Sequence, residues 1–170
     1  MVSVELGTIE DVDAVADLWV DLAAGQREFG SHLLAEENRA TVREAIAQSA
    51  VADELLVARA EREGQPEANE PAAEIVGFVT VGVESGTYDR DVTRGLVQNI
   101  YVVADRRGDG IGSELLTEAE TRLAETGADA VSLEVMADNE AARRFYRRHG
   151  YAPHRVELEK SVESDTLTKE

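Results

Sequence analysis

An α/β fold with at least one pair of neighbouring parallel strands is what this sequence predicts, on three observations. Apolar runs of strand length alternate along the chain with amphipathic helical segments. A glycine-rich turn, RRGDGIGS at Arg106 to Ser113, stands between a strand-like run and a helix, and a second strand and a second helix follow. That order of strand, glycine loop, helix and strand requires a right-handed crossover between parallel neighbours. At 170 residues the chain is long enough to bury one core. A single domain over residues 1–160 is expected, with a polar, frayed tail at 161–170.

Taken in order, Val2 to Leu6 alternates as a short strand, and Thr8 with Asp11 three residues on forms a capping pattern. The helix it caps is predicted over Ile9 to Ala24, with Ala16, Trp19, Val20 and Ala23 as its buried stripe. Residues 25–38 carry two glycines and mixed polarity and read as a loop with a helical turn, and a second helix follows from Arg39 to Ala50. Leu55 to Ala60 and Ile75 to Val83 read as strands joined by a polar, proline-containing hairpin connection. A polar loop from Gly86 to Arg94 leads into a third strand, Leu96 to Val103, rich in β-branched and aromatic residues. The helix after the glycine turn runs from Ser113 to Thr126, its stripe Ile111, Leu115, Ala119 and Leu123 ending at Gly127. A strand at Val131 to Met136, a helix from an Asp138 or Asn139 cap to His149, the stop at Gly150 and a short strand at Arg155 to Glu159 complete the chain, which has no internal repeat.

Composition excludes several chemistries. Without cysteine there is no disulfide framework, thiolate metal site or cysteine nucleophile. A net charge of -18, from 35 acidic and 17 basic residues, argues against a nucleic-acid binder, which needs a concentrated positive surface. Of the 17 basic residues two are lysines, Lys160 and Lys169, and 15 are arginines. This acid-rich, lysine-poor balance resembles the proteomes of extreme halophiles. No basic region followed by an apolar run opens the chain and no apolar stretch is long enough to span a bilayer, so a soluble cytoplasmic protein with no membrane partner is expected.

The turn at 106–113 carries the chemistry. Glycines at 108, 110 and 112 let the backbone turn with its amides outward, and the following helix N-terminus favours an anion, which together describe a pyrophosphate cradle. It is neither of two familiar nucleotide cradles. A P-loop needs Lys-Ser or Lys-Thr where this chain has Ser113-Glu114, and the dinucleotide fingerprint needs a glycine where Ser113 stands.

Arg107-Gly-Asp-Gly110-Ile-Gly112 resembles the acetyl-CoA signature of the GNAT superfamily, Arg or Gln followed by x-x-Gly-x-Gly or Ala. A second block, Leu133-Glu-Val-Met-Ala-Asp-Asn139 through Ala142, Phe145-Tyr146 and Gly150-Tyr151, is similar to the same family at the family's spacing. The resemblance spans Leu96 to Tyr151. It implies the GNAT acyl-CoA N-acyltransferase fold: a twisted, mixed, mostly antiparallel sheet flanked by helices, whose two central parallel strands splay to admit acetyl-CoA. It further implies pantetheine contacts from Ile100, Tyr101 and Val102, and pyrophosphate contacts from Arg107, Gly108, Asp109, Gly110, Ile111, Gly112 and Ser113. Asn139 matches a position that bonds the pantetheine arm, and Tyr146 the family's acid near the sulfur.

Acetyl transfer to an amine needs a neutral nucleophile, a polarised carbonyl and a proton for the departing thiolate. Alternation puts Ser132, Glu134 and Met136 on one face of their strand, and the resemblance makes Glu134 a candidate base. Glu84 is a second candidate, and water a third. His32, His149 and His154 read as structural, and no cluster of ligating residues points to a metal. The implied activity is direct acetyl transfer to a primary amine of a small molecule or a protein N-terminus. Within the family the C-terminal block most resembles acetyltransferases of protein N-termini, ribosomal proteins included. A homodimer is a further implication of the resemblance. The rival reading is a non-catalytic acyl-CoA-binding sensor or interaction module.

Overall fold

The computed structural model describes residues 1–64 and 67–163 and divides into two compact units, residues 1–139 and the segment from Glu140. The first unit holds β1 (Val2–Leu6), α1 (Val12–Arg27), α2 (Arg39–Val51), β2 (Leu55–Glu61), β3 (Ala73–Val83), β4 (Arg94–Val102), α3 (Ile111–Glu125) and β5 (Ala130–Leu133). The strands form one sheet in the order β1-β2-β3-β4-β5. Every neighbouring pair is antiparallel except β4 and β5, which are parallel and joined by α3 as the crossover.

Alternation along the strands splits the core between two faces. Leu55, Val57 and Phe78 pack with Val12, Val15, Ala16, Trp19 and Ala23 of α1 and Ile46 and Ala50 of α2. The opposite face is covered by α3, whose stripe Ile111, Leu115, Ala119 and Leu123 is buried. A one-turn 3-10 helix at Ile9–Asp11 leads into α1, and Asp11 reaches back to accept the Thr8 N–H at 2.8 Å, the reciprocal half of a capping box. The same buried carboxylate takes a two-pronged bond from Arg59 of β2, at 2.9 and 2.6 Å. Burial opposes its ionisation, yet the Arg59 bonds and the Thr8 amide hold the Asp11 carboxyl below the usual carboxylate range.

Several boundaries differ from expectation. The first helix continues through Gly25 to Arg27, because the interior α-helix accepts one glycine at a cost of about 1 kcal/mol while its apolar face stays packed. Strand β5 stops at Leu133, three residues before the expected Met136, where its ladder with β4 ends. Gln65 and Pro66 of the β2–β3 connection lie outside the described residues.

In the second unit α4 covers Glu140–Arg148. It ends as expected at Gly150, with Gly150 N–H donating to Arg147 O and Tyr151 N–H to Tyr146 O, both at 3.0 Å. Phe145, Tyr146 and His149 interlock on one side of the helix with Arg148 over the Phe145 ring, 6.0 Å from its centre, while Arg144 and Arg147 are exposed. The strand expected at Arg155 to Glu159 does not form. Val156 and Leu158, which gave it its alternation, are 74 % and 89 % exposed, so burial supplies nothing to order a strand there. Of the expected tail, residues 164–170 lie outside the described residues. Among the described residues no helix is long and apolar enough to cross a membrane.

Candidate active site

The parallel ladder between β4 and β5 is short. It pairs Arg94 with Ala130, Gly95 with Val131, Leu96 with Ser132 and Val97 with Leu133, and then ends. From that point β4 runs on to Val102 paired on its β3 side only. The break coincides with a β-bulge: Thr80 of β3 faces Asn99 while Val81 faces Val97, so Gln98 is an extra residue in β4. A bulge bends its strand and interrupts pairing, which accounts for a slot opening at this residue.

Backbone direction determines which groups line the slot. Val103 N–H donates to Val76 O of β3 at 2.9 Å. Alternation from that bond turns the amides and carbonyls of Ile100 and Val102 toward the slot and those of Tyr101 toward β3. Of the three residues expected to contact pantetheine, Ile100 and Val102 thus turn backbone groups away from β3, and Tyr101 turns its own toward β3. The Val102 carbonyl accepts a bond from Arg107 Nε at 3.0 Å, and the guanidinium lies over the Tyr101 ring, 5.4 Å from its centre. Arg107 is thus tied back to the strand it follows.

Beyond Arg107 the chain turns through Gly108 and Gly110, with φ of +87° and +82°, a region that costs an L-residue about 1–2 kcal/mol. The first α3 ladder bond runs from Glu114 N–H to Gly110 O at 3.1 Å. The amides of Ile111 and Gly112 precede it and are donors the helix does not use. A left-handed turn feeding a helix N-terminus, beside a slot with outward backbone groups, fits a pyrophosphate followed by an amide-bearing arm. The exposed side chain of Asp109 adds nothing attractive to such a ligand, which leaves its amide as its contribution.

Behind the slot the bulge sets two consecutive polar side chains, Gln98 and Asn99, on the sheet face that carries α1. Asn99 Oδ1 accepts a bond from Trp19 Nε1 at 3.2 Å and its Nδ2 donates to Thr80 Oγ1 at 2.9 Å, tying helix, bulge and β3 together. The sequence carries a signal for this in retrospect. Gln98-Asn99 is a polar pair inside the apolar run LVQNIYV, where strict alternation allows a single polar residue.

The carboxylates divide clearly. Glu84 is held by Arg94, through a 3.1 Å bond to Nε and a shorter one to the second guanidinium nitrogen, and by Arg90 at 2.8 Å. Two arginines on one carboxylate make a clasp across the β3–β4 hairpin and a poor base. Glu134 is exposed in the extended segment after β5, and Asn139 ends this unit half-buried, its N–H bonded to Met136 O at 3.0 Å. Among the described residues no three His, Asp or Glu side chains converge as metal ligands. In the second unit Tyr146 is half-buried, edge-on to Phe145 at 5.4 Å and Tyr151 at 6.0 Å, and burial pushes its hydroxyl pKa up. It therefore stays protonated through neutral and mildly alkaline pH.

The GNAT acetyltransferase pattern matches residues 27–151. The chain belongs to the GNAT acetyltransferase family. A mycothiol acetyltransferase of Corynebacterium aurimucosum is 46% identical over 56 residues, 31% of this chain and 18% of that protein. An N-alpha-acetyltransferase MAK3 of Arabidopsis thaliana is 37% identical over 62 residues, 36% of this chain and 33% of that protein. The chain thus spans well under half the length of either. A putative acetyl transferase from Pyrococcus furiosus superposes over 95% of this GNAT chain and 100% of its own, with a TM-score of 0.68 and 26% identity.

Proposed function

We propose that this GNAT protein is an acetyl-CoA-dependent N-acetyltransferase that transfers acetyl directly to a primary amine. The observation that carries the reading is the coincidence of the bulge at Gln98 with the end of the β4–β5 ladder, which leaves Ile100 and Val102 facing a slot at the foot of the glycine cradle. Family membership and relatives named as acetyltransferases, one of them an N-alpha-acetyltransferase, support it.

In this reading the amides at the start of α3, with Arg107, hold the pyrophosphate of acetyl-CoA, and Ile100 and Val102 exchange backbone hydrogen bonds with its pantetheine arm. The acceptor nitrogen attacks the thioester carbonyl carbon, the C–S bond breaks, the nitrogen gives up a proton and the sulfur takes one. No covalent enzyme intermediate is needed. Tyr146 is the assigned donor to sulfur, supported by its place in the family block and by burial that keeps it protonated. With Glu84 clasped by arginines, the proton leaving nitrogen goes to Glu134 or to water. Glu134 is exposed, which suits a residue exchanging protons with solvent. The reading includes a cytoplasmic enzyme and a homodimer, with a small-molecule amine or a protein N-terminus as acceptor.

A thiol-release assay with acetyl-CoA against polyamines, amino acids, aminoglycosides and N-terminal peptides, at low and high salt, tests this. Amine-dependent release of CoA is the expected outcome, and silence across the whole panel with cofactor binding intact would overturn it in favour of a non-catalytic acyl-CoA binder.

A further inference from the structure

The α2–β2 turn delivers a carboxylate to the bulge. Asp53 adopts φ of +58°, the left-handed conformation that Asp tolerates better than most residues, and so reverses the chain between helix and strand. Glu54 is then fixed on both sides of its backbone: its N–H donates to Ser49 O at 2.8 Å and its carbonyl accepts from Val81 N–H at 2.9 Å. The side chain lies over β3 at Gly82. A Cβ at Gly82 would sit 2.9 Å from Gln98 Nε2 and 3.5 Å from Glu54 Oε2, so the amide of the bulge residue and this carboxylate share the space that the glycine leaves open.

Two other carboxylates with little exposure, Asp11 and Glu84, are each compensated by arginine. Glu54 is half-buried, and among the described residues no ion pair engages it. A partly desolvated carboxylate with a fixed backbone and no cation beside it is suited to bind one from solution. Its place is consistent with that use. It lies on the α1 face of the sheet over Gly82, whose partner Leu96 and the bulge residue Gln98 come just before the open part of β4, so a cation held there and a pyrophosphate held at α3, beyond Val102, are separated along the strand. We propose that Glu54, with Gln98 beside it, is the acceptor-recognition subsite: it takes a protonated ammonium other than the nitrogen that is acetylated, and selects amines carrying such a second cation over neutral or acidic ones.

The acceptor role rests on the proposed acetyltransferase function, but the binding can be read without turnover. Spermidine is titrated into 15N-labelled full-length protein while the side-chain amide of Gln98 and the backbone amide of Gly82 are followed. About 1 M KCl shortens the Debye length to about 3 Å and suppresses diffuse attraction to the acidic surface. Saturable shifts at both positions are expected in the wild type. At least ten-fold weaker binding is expected in Glu54→Gln, and likewise in Gly82→Ala, whose methyl group fills the shared space while leaving the carboxylate unchanged. For any amine that the thiol assay identifies, Glu54→Gln should raise KM for the amine ten-fold or more and leave KM for acetyl-CoA unchanged.

Absence of shifts in the wild type, or equal titrations in wild type and Glu54→Gln, overturns the assignment. Binding at Glu54 with no CoA release from any amine removes the enzyme reading and leaves the subsite standing. Amine-dependent release with an unchanged amine KM in Glu54→Gln removes the subsite alone.

Discussion

The two halves of β4 are built from similar residues and do opposite things. Arg94 to Val97 is paired on both sides, to β3 and to β5, and Gly95 within it lies against Leu123 of α3. Asn99 to Val102 keeps only the β3 ladder and leaves backbone groups of Ile100 and Val102 outward. The apolar content of the two halves hardly differs. The difference is the extra residue between them, Gln98, and the side-chain bonds that hold Asn99 in place after it. A binding slot in this sheet is thus made by ending a ladder at a defined position, with no change in the kind of residue that follows.

That comparison can be broken most severely at its hinge. Asn99→Leu would remove the partners of Trp19 Nε1 and Thr80 Oγ1, both groups of buried residues, at about 1–3 kcal/mol for each group orphaned. Denaturant unfolding should show that loss. Isothermal titration should also show weaker acetyl-CoA binding, because the bulge is no longer pinned. Asn99→Asp, which keeps the acceptor for Trp19, should recover part of both.

In the closed half the expected effect is on stability alone. Gly95→Ala brings a Cβ to 2.8 Å from the nearest of three Leu123 atoms, an overpacking worth about 1–3 kcal/mol. The melting temperature should fall while acetyl-CoA affinity stays put. A loss of affinity matching that of Asn99→Leu would show that the closed half also shapes the slot.

The open half should behave in reverse. Arg107 is exposed, so Arg107→Ala should change stability by no more than about 0.5 kcal/mol yet weaken acetyl-CoA binding several-fold. Equal binding in the two proteins would leave the guanidinium as a tether for Val102 and nothing more.

The smallest effect on stability concerns Tyr146. Its hydroxyl pKa is raised in the folded chain from the ordinary 10.0. Below pH 10 the group is protonated whether folded or unfolded and adds no pH dependence. As pH climbs past 10 the unfolded chain ionises first and stability falls. Tyr146→Phe should flatten that alkaline decline in thermal melts across pH 9 to 11. It should also slow turnover by about a hundred-fold at neutral pH if the hydroxyl is the acid, with cofactor affinity retained.

Much of this was legible in the residues. The α3 stripe, the glycine turn and the stop at Gly150 are written in local spacing, and local spacing is what the chain needs to form them. The Gln98 bulge was not foreseen, since a bulge is defined by the register of a strand against its partner and Thr80 is nineteen residues from Asn99 in the sequence. The same cause hid Glu54, which meets Gln98 only through the pairing of β2 with β3 and β3 with β4. The clasp on Glu84 was hidden for a related reason, because Arg90 and Arg94 come from further along the chain, in and beyond the β3–β4 loop. The strand expected at Arg155 to Glu159 shows the limit of alternation, which marks a strand when one face has something to cover.

The bulge also has a meaning for how such a protein could arise or decay. A single inserted codon is the smallest change in length that a coding sequence can suffer. Placed in the middle of β4, it separates a sheet that closes on itself from one with a gap for a substrate. Deleting Gln98 would leave Asn99 opposite Thr80 and every later side chain on its present face, and would join the two stretches of the β3–β4 ladder without a break, so the gain and the loss of the bulge are each one mutational event away.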